Sequence, residues 1–370
     1  MTFVKYDDYN PRVSDGYQAD LDLLIQMVIE RTQASVEREG VGRAVRGAHG
    51  KTYGLARASV TVQPDLPAEY AQGIYATPGT YDALVRYSNG LGHLRADPFL
   101  GTACGMGIKM FGIPGQSLLT DEADATTFDY NLINNVTFFC NTVRDYLVIE
   151  PLFAELPNAL AKPTTRQQWL HDFLTRAGTL PPEQWLWDEL LSILSFTSIE
   201  RKNLLSYTYW SMGAFRHGDY IAKVRAKPTA ASAAGIADPT VNVKADPEAF
   251  RHTLLVEMGA RDHSFDLQIQ LCADLARMPV ENTSLAWSED LSPFVTVARI
   301  EVPRQDISSD DNLASADTTS ITPWRTREEH RPLGEINRIR EDVYRQSSIT
   351  RHKINNQERR EPANIKQVLG

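Results

Sequence analysis

The chain has 370 residues, 42% hydrophobic and 23% charged, with a formal net charge of −9. That composition is ordinary for a globular protein of one large or two average domains. The acidic balance argues against a nucleic-acid-binding face and against a polybasic membrane attachment, and no apolar run reaches the roughly 18 residues of a transmembrane helix.

The first stretch, "MTFVKYDDYNPRVSDGY", lacks the basic-then-apolar order of a signal peptide. Residues 19–39 carry Leu21, Leu24, Ile25, Val28 and Ile29 at helical spacing, which predicts an amphipathic helix. From about 54 to 135 the texture changes to short runs rich in β-branched and aromatic residues: "GLARASVTV", "YDALVRYSNG", "GMGIKMFGI" and "FDYNLINN". Turns such as "TPGTY" and "GIPGQ" separate them, so antiparallel strands are expected. Residues 142–205 read as helical, with Trp169, Trp185, Trp187, Leu190 and Leu194 as core candidates. Strand texture returns at 220–228, 265–274 and 294–303, and a further helix is expected around 247–258. Residues 306–321 are polar and acidic and read as a long surface loop. The segment "LGEINRIREDVYRQSSITRHKIN" is again helical, and the residues after Asn356 read as a loosely held tail. Neither strand group alone closes a sheet. A single α+β domain in which the late strands complete the early sheet follows. Its expected bounds are a helical arm at 1–40, the domain at 41–356 and a tail at 357–370. The three cysteines, Cys104, Cys140 and Cys272, lie far apart and form neither a disulfide framework nor a metal knuckle. Buried thiols in a reducing, cytoplasmic setting are expected.

Polar residues recur in defined clusters. Arg46 and His49 form R-x-x-H within "GRAVRGAHGKTYG"; Arg43 and Lys51 in that segment read as surface charges. Arg86 and Ser88 alternate in "VRYSNG" and share one strand face. Asn134 and Asn135 follow a strand and precede Phe138 and Phe139. Arg340 and Tyr344 stand at i,i+4 on the last helix, which brings guanidinium and phenol together, and Arg351 lies two turns further on. The other seven histidines show no pairing at metal-ligand spacing.

Taken in order over most of the chain, these segments resemble the catalase superfamily of haem enzymes. "RGAHGKTYGLARASVTV" is similar to the distal-histidine segment, "VRYSNG" to the arginine strand, "FDYNLINNVTFF" to the distal-asparagine segment and "EINRIREDVYRQSSITRH" to the iron-ligand helix. The resemblance implies a catalase-like fold: an antiparallel eight-stranded β-barrel with surrounding helices and a long wrapping loop, in a compact form and as a homo-oligomer. It implies haem b, with Tyr344 as the axial iron ligand and Arg340 favouring its ionised form. Arg46, Arg86 and Arg351 match the propionate-binding arginines, and Phe138 and Phe139 the apolar walls. On the opposite face His49 would carry the peroxide proton, held by Ser88, and Asn134 would hydrogen-bond the peroxide. The asparagine segment is one residue shorter than in full-length catalases, so Asn135 stays an alternative.

Such a site reacts with hydrogen peroxide or an organic hydroperoxide through a ferryl intermediate; what reduces that intermediate is set by access. Catalases usually carry valine before the histidine, and Ala48 leaves more room. The expectation is peroxidase-like oxidation of small organic substrates with weak catalase activity. The alternatives are true catalase activity, a fatty-acid hydroperoxide lyase or allene oxide synthase reaction, and a non-enzymatic haem-binding or haem-free protein on the same fold.

Overall fold

In the computed structural model, residues 2–159 and 162–370 are described. Nine strands lie in one antiparallel sheet: β1 (Thr52–Val62), β2 (Thr80–Asn89), β3 (Cys104–Met110), β4 (Phe128–Ile133), β5 (Tyr209–Ser211), β6 (Phe215–His217), β7 (Tyr220–Pro228), β8 (His263–Leu271) and β9 (Val295–Val302). Strands β1 to β4 pair in sequence, β4 pairs β5, and β5 pairs β7. Strands β7, β8 and β9 then lead back to β1, which closes an eight-stranded barrel, while β6 is a short hairpin partner of β7. The late strands thus complete the early sheet, and closure removes the unpaired edges that either group alone would expose.

Side-chain alternation explains which residues fill the barrel. On β2, Ala83, Val85 and Tyr87 point into the core with Tyr53, Val60, Met106, Ile108, Phe265, Leu267 and Ile300. Arg86 and Ser88 necessarily face outward from the same strand. Helices cover that outer face: α1 (Tyr17–Glu39), α2 (Val143–Ala159), α3 (Pro163–Leu174), α4 (Trp187–Thr197), α5 (Ala230–Gly235), α6 (Ala249–Ala260), α7 (Asp310–Thr318), α8 (Glu335–Ile354) and α9 (Lys366–Leu369). A second core, with Leu21, Leu24, Phe173, Ile193, Ile336 and Ile339, joins α1, α3, α4 and α8. Helix α1 matches the sequence expectation. Gly16 and Gly40 bound it in left-handed conformations, φ 77° and 65°, which glycine adopts without steric cost. All three cysteines are buried and free. No helix among the described residues is long and apolar enough to cross a membrane.

Four expectations are corrected. The segment 306–321 contains α7, because Ser309 caps it by accepting from the Asn312 N–H at 3.1 Å and Asp310 and Asp311 favour the positive helix start. The tail is anchored: Ile365 packs with Leu55, Leu84 and Phe111, and Glu361 is ion-paired with Lys109 and Arg325. Lys51 is no surface charge but a buried ammonium held by Asp97 at 2.8 Å and Glu248 at 2.9 Å. Trp187 and Leu194 are about half exposed. Helix α4 buries Leu190, Ile193 and Phe196, and the helical rotation turns Trp187 and Leu194 the other way.

Candidate functional site

The outer face of β2 and β3, the segment entering β1, the end of α7 and the length of α8 converge on one region. His49 sits where the entering chain turns, with φ 54°. Its N–H donates to Gly90 O at 3.2 Å, and the Arg86 guanidinium donates to its carbonyl at 2.9 Å. The imidazole Nδ1 lies 3.0 Å from Ser88 Oγ. Burial, then the charges of Arg86, Arg340 and Arg46, lowers its pKa to about 3, so the ring is neutral at working pH.

Arg46, Arg86 and Arg351 meet at the C-terminal end of α7. Arg46 donates to Thr319 O at 2.6 Å, Arg86 to Ala316 O at 3.0 Å and Arg351 to Asp317 O at 2.9 Å. Carbonyls at a helix end attract cations. Among the described residues the carboxylate that pairs with them is Asp317, 2.5 Å from Arg43 and 3.9 Å from Arg46. Burial first, and mutual repulsion among the guanidinium groups, pull Arg46 down, Arg86 well down and Arg351 to about 8. The cluster therefore carries more buried positive charge than the chain neutralises.

On α8, Arg340 donates to the Tyr344 hydroxyl at 3.1 Å and to Asn337 Oδ1 at 2.9 Å, and its Nε is buried without a partner. Asn337 in turn donates to Ala214 O at 2.8 Å, and its carbonyl accepts from the Trp324 indole at 2.7 Å. The Arg340 charge reaches His49 and the Tyr344 phenol reaches Tyr146 of α2. The α8 pair and the β-barrel histidine thus share one electrostatic neighbourhood.

The two asparagines differ. Asn134 Oδ1 accepts from Cys104 N at 2.7 Å and its Nδ2 donates to Thr102 O at 3.0 Å, so one amide hydrogen is left over. Asn135 Nδ2 donates to Ser195 Oγ at 2.9 Å and to Thr137 O at 3.2 Å, which uses both its hydrogens. Phe138 and Phe139 stack with centroids 4.4 Å apart, and Phe139 continues to Tyr146 at 6.5 Å and to Phe196 at 5.9 Å. Sequence reasoning missed Asp317, Asn337, Trp324 and Tyr146. Only Asn337 carried a local signal, one helical turn before Arg340.

No family model and no curated protein matches this sequence. Solved structures do. A bacterial catalase superposes with a TM-score of 0.60 at 15% identity, over 98% of this chain and 66% of its own. Catalase A from Saccharomyces cerevisiae gives 0.59 at 15% identity, over 100% of this chain and 75% of its own, and a fungal catalase 0.58 at 14%, over 100% and 72%. The chain therefore has the catalase fold, and spans about two thirds to three quarters of the length of these proteins.

The residues present fit haem. The buried Arg86 and Arg351 guanidinium groups, with the partly buried Arg46 and a single nearby carboxylate among the described residues, suit a ligand with two carboxylates. The phenol beside a buried guanidinium suits a hard iron centre.

Proposed function

We propose that the chain is a haem-dependent oxidoreductase that consumes hydroperoxides, working as a peroxidase on small organic donors with weak catalase activity. The uncompensated guanidinium cluster, in the same site as a neutral histidine and a phenol–guanidinium pair, carries this reading. Tyr344 would ligate the iron of haem b, with Arg340 donating to its oxygen at 3.1 Å. Arg46, Arg86 and Arg351 would hold the propionates. The chemistry that haem brings to such a site is cleavage of a peroxide O–O bond with storage of the oxidising equivalents.

The remaining steps belong to the chain's own residues. Ser88 fixes the imidazole through Nδ1, so that Nε2 points its lone pair at an incoming hydroperoxide. Nε2 would take the proton from one oxygen of the hydroperoxide and return it to the other as it leaves. A ring with a pKa of about 3 releases that proton readily. Asn134 offers its unused N–H to the polarising O–O group; Asn135 has none to offer. Phe138 and Phe139 exclude water, and Ala48 leaves space for a donor larger than hydrogen peroxide.

Protein expressed with a haem precursor should show a Soret band with high-spin ferric features that changes in Tyr344→Phe. A colourless wild-type protein overturns the reading. Turnover of cumene hydroperoxide with a dye donor should exceed oxygen release from hydrogen peroxide alone. Fast oxygen release without a donor would assign dismutation instead.

A further inference from the structure

We propose that Gly105 of β3 is a positioning residue of this site: the side chain it lacks is the space in which the His49 imidazole lies. The inference rests on the proposed role of His49 as proton carrier, but the placement itself is testable without turnover. Gly105 is paired with Ser88 on β2 and Ile133 on β4. Its neighbours along β3, Cys104 and Met106, point into the barrel, so position 105 faces the site. A Cβ built there would stand 2.5 Å from both Cε1 and Nδ1 of His49 and 3.1 Å from Ser88 Oγ.

The glycine answers a need for space. Its φ is not in the left-handed region, whereas other glycines of the chain are; a glycine within a strand otherwise weakens it and often marks a close approach. The Cε1–Nδ1 edge of the ring lies close against the strand, where Ser88 can reach Nδ1.

His49 cannot back away from an added methyl. Its N–H and carbonyl are both held, by Gly90 and Arg86. The segment that carries it lies directly on 90–92: a Cβ at Gly92 would meet Gly47 O at 2.2 Å, and one at Gly50 would meet Gly92 C at 3.0 Å. With the backbone fixed, the only relief is rotation of the imidazole away from β3, which breaks the contact to Ser88 and re-aims Nε2. Gly107, two residues on and on the same face, is the internal control. A Cβ there would meet Ile321 Cδ1 at 2.7 Å, the flexible end of a side chain that can move.

The test uses the full chain expressed without haem precursor, with histidine rings isotopically labelled, alongside the haem-loaded protein. In wild type, a nuclear Overhauser contact should join a Gly105 Hα to His49 Hε1, and the His49 ring should stay neutral to below pH 4. In Gly105→Ala the His49 titration midpoint should rise by more than one pH unit and hydroperoxide turnover of the loaded protein should fall by about 100-fold, the scale of an ångström-sized misplacement. Gly107→Ala should leave both unchanged. A missing wild-type contact overturns the proposal, and that measurement decides even if Gly105→Ala does not fold. Wild-type titration and turnover in Gly105→Ala overturn it equally. A wild type without turnover but with the contact refutes the proposed function and leaves the placement of the ring standing.

Discussion

The guanidinium cluster yields the sharpest test, because its two consequences have opposite signs. Arg351 is buried, makes one hydrogen bond to a backbone carbonyl, and is held down to about 8 by burial and by Arg46 and Arg43, with Asp317 opposing. At pH 7 it is still charged. Keeping that charge in place costs about 6 kcal/mol relative to a solvated guanidinium, at 1.36 kcal/mol per tenfold change in acid constant. Replacing a buried charge by an apolar side chain of similar volume typically recovers about 1–4 kcal/mol of this. Arg351→Met should therefore stabilise the cofactor-free protein, raising its melting temperature by about 2–8 °C. The same change removes one charge-assisted hydrogen bond to a carboxylate ligand, worth about 1.5–3 kcal/mol, so haem should bind about 10- to 150-fold more weakly. Differential scanning calorimetry of the cofactor-free protein and a Soret titration give the two numbers. Haem dimethyl ester, which lacks the carboxylates, should bind wild type and variant alike. A variant with a lower melting temperature, or with unchanged haem affinity, would refute the assignment of the cluster to an anionic ligand.

The sign of the cluster also sets a pH dependence: Arg351 is depressed in the folded state, so the unfolded chain binds the extra proton above about pH 8, and the stability of the cofactor-free protein should gain from this group as pH rises through 8 to 10. Ser88→Ala frees Nδ1 of His49 and should lower hydroperoxide turnover by about 10- to 100-fold with haem affinity unchanged, the usual cost of losing an orienting partner; equal loss of both would point to a collapsed site instead. Acid should destabilise the fold. His49 and His217 are held neutral with values near 3 and 4, so from pH 7 to 5 each costs about 2 kcal/mol, and His330, pushed well down by burial, adds to the loss, while Glu189, raised to about 7 by burial, returns about 2 kcal/mol. The net loss should show as a falling urea midpoint, and a flat midpoint between pH 7 and 5 would contradict the assignment. Glu361→Gln leaves Lys109 and Arg325 with one fewer buried counter-charge and should cost about 3–5 kcal/mol, with early proteolytic cleavage after residue 356; a tail as resistant as wild type would show that Ile365 alone holds it.

What the sequence made legible follows from how local each signal is. Alternation on β2 placed Arg86 and Ser88 on one face without any knowledge of the partner strands. The i,i+4 spacing on α8 brought Arg340 to Tyr344 by helix geometry alone. The errors are where the deciding partner is remote. Lys51 reads as a surface cation because Asp97 and Glu248, which bury it, lie 46 and 197 residues away. The tail reads as loose because its anchors are Lys109 on β3 and Arg325 in the loop before α8. Residues 306–321 are the exception: the capping Ser309 is local, and the acidity of the run outweighed it.

The asparagine question shows the same limit from the other side. Two adjacent asparagines are chemically identical in sequence, and counting residues to Phe138 could not separate them. What separates them is the number of hydrogens already committed. Asn134 is gripped by Thr102 and Cys104 through one donor and one acceptor, which fixes the amide plane and spares an N–H; Asn135 spends both N–H groups on Thr137 and Ser195. Two backbone contacts on Asn134 also make it costly to move. Asn134→Asp would keep the acceptor for Cys104 N but turn the donor to Thr102 O into a repelled oxygen, so it should lose about 1–3 kcal/mol of stability together with turnover. Asn135→Asp, facing Ser195, whose hydroxyl can rotate to donate, should lose less of both. Thermal melts and hydroperoxide kinetics on the pair give the comparison, and a larger loss of turnover at Asn135 would move the distal amide to that residue.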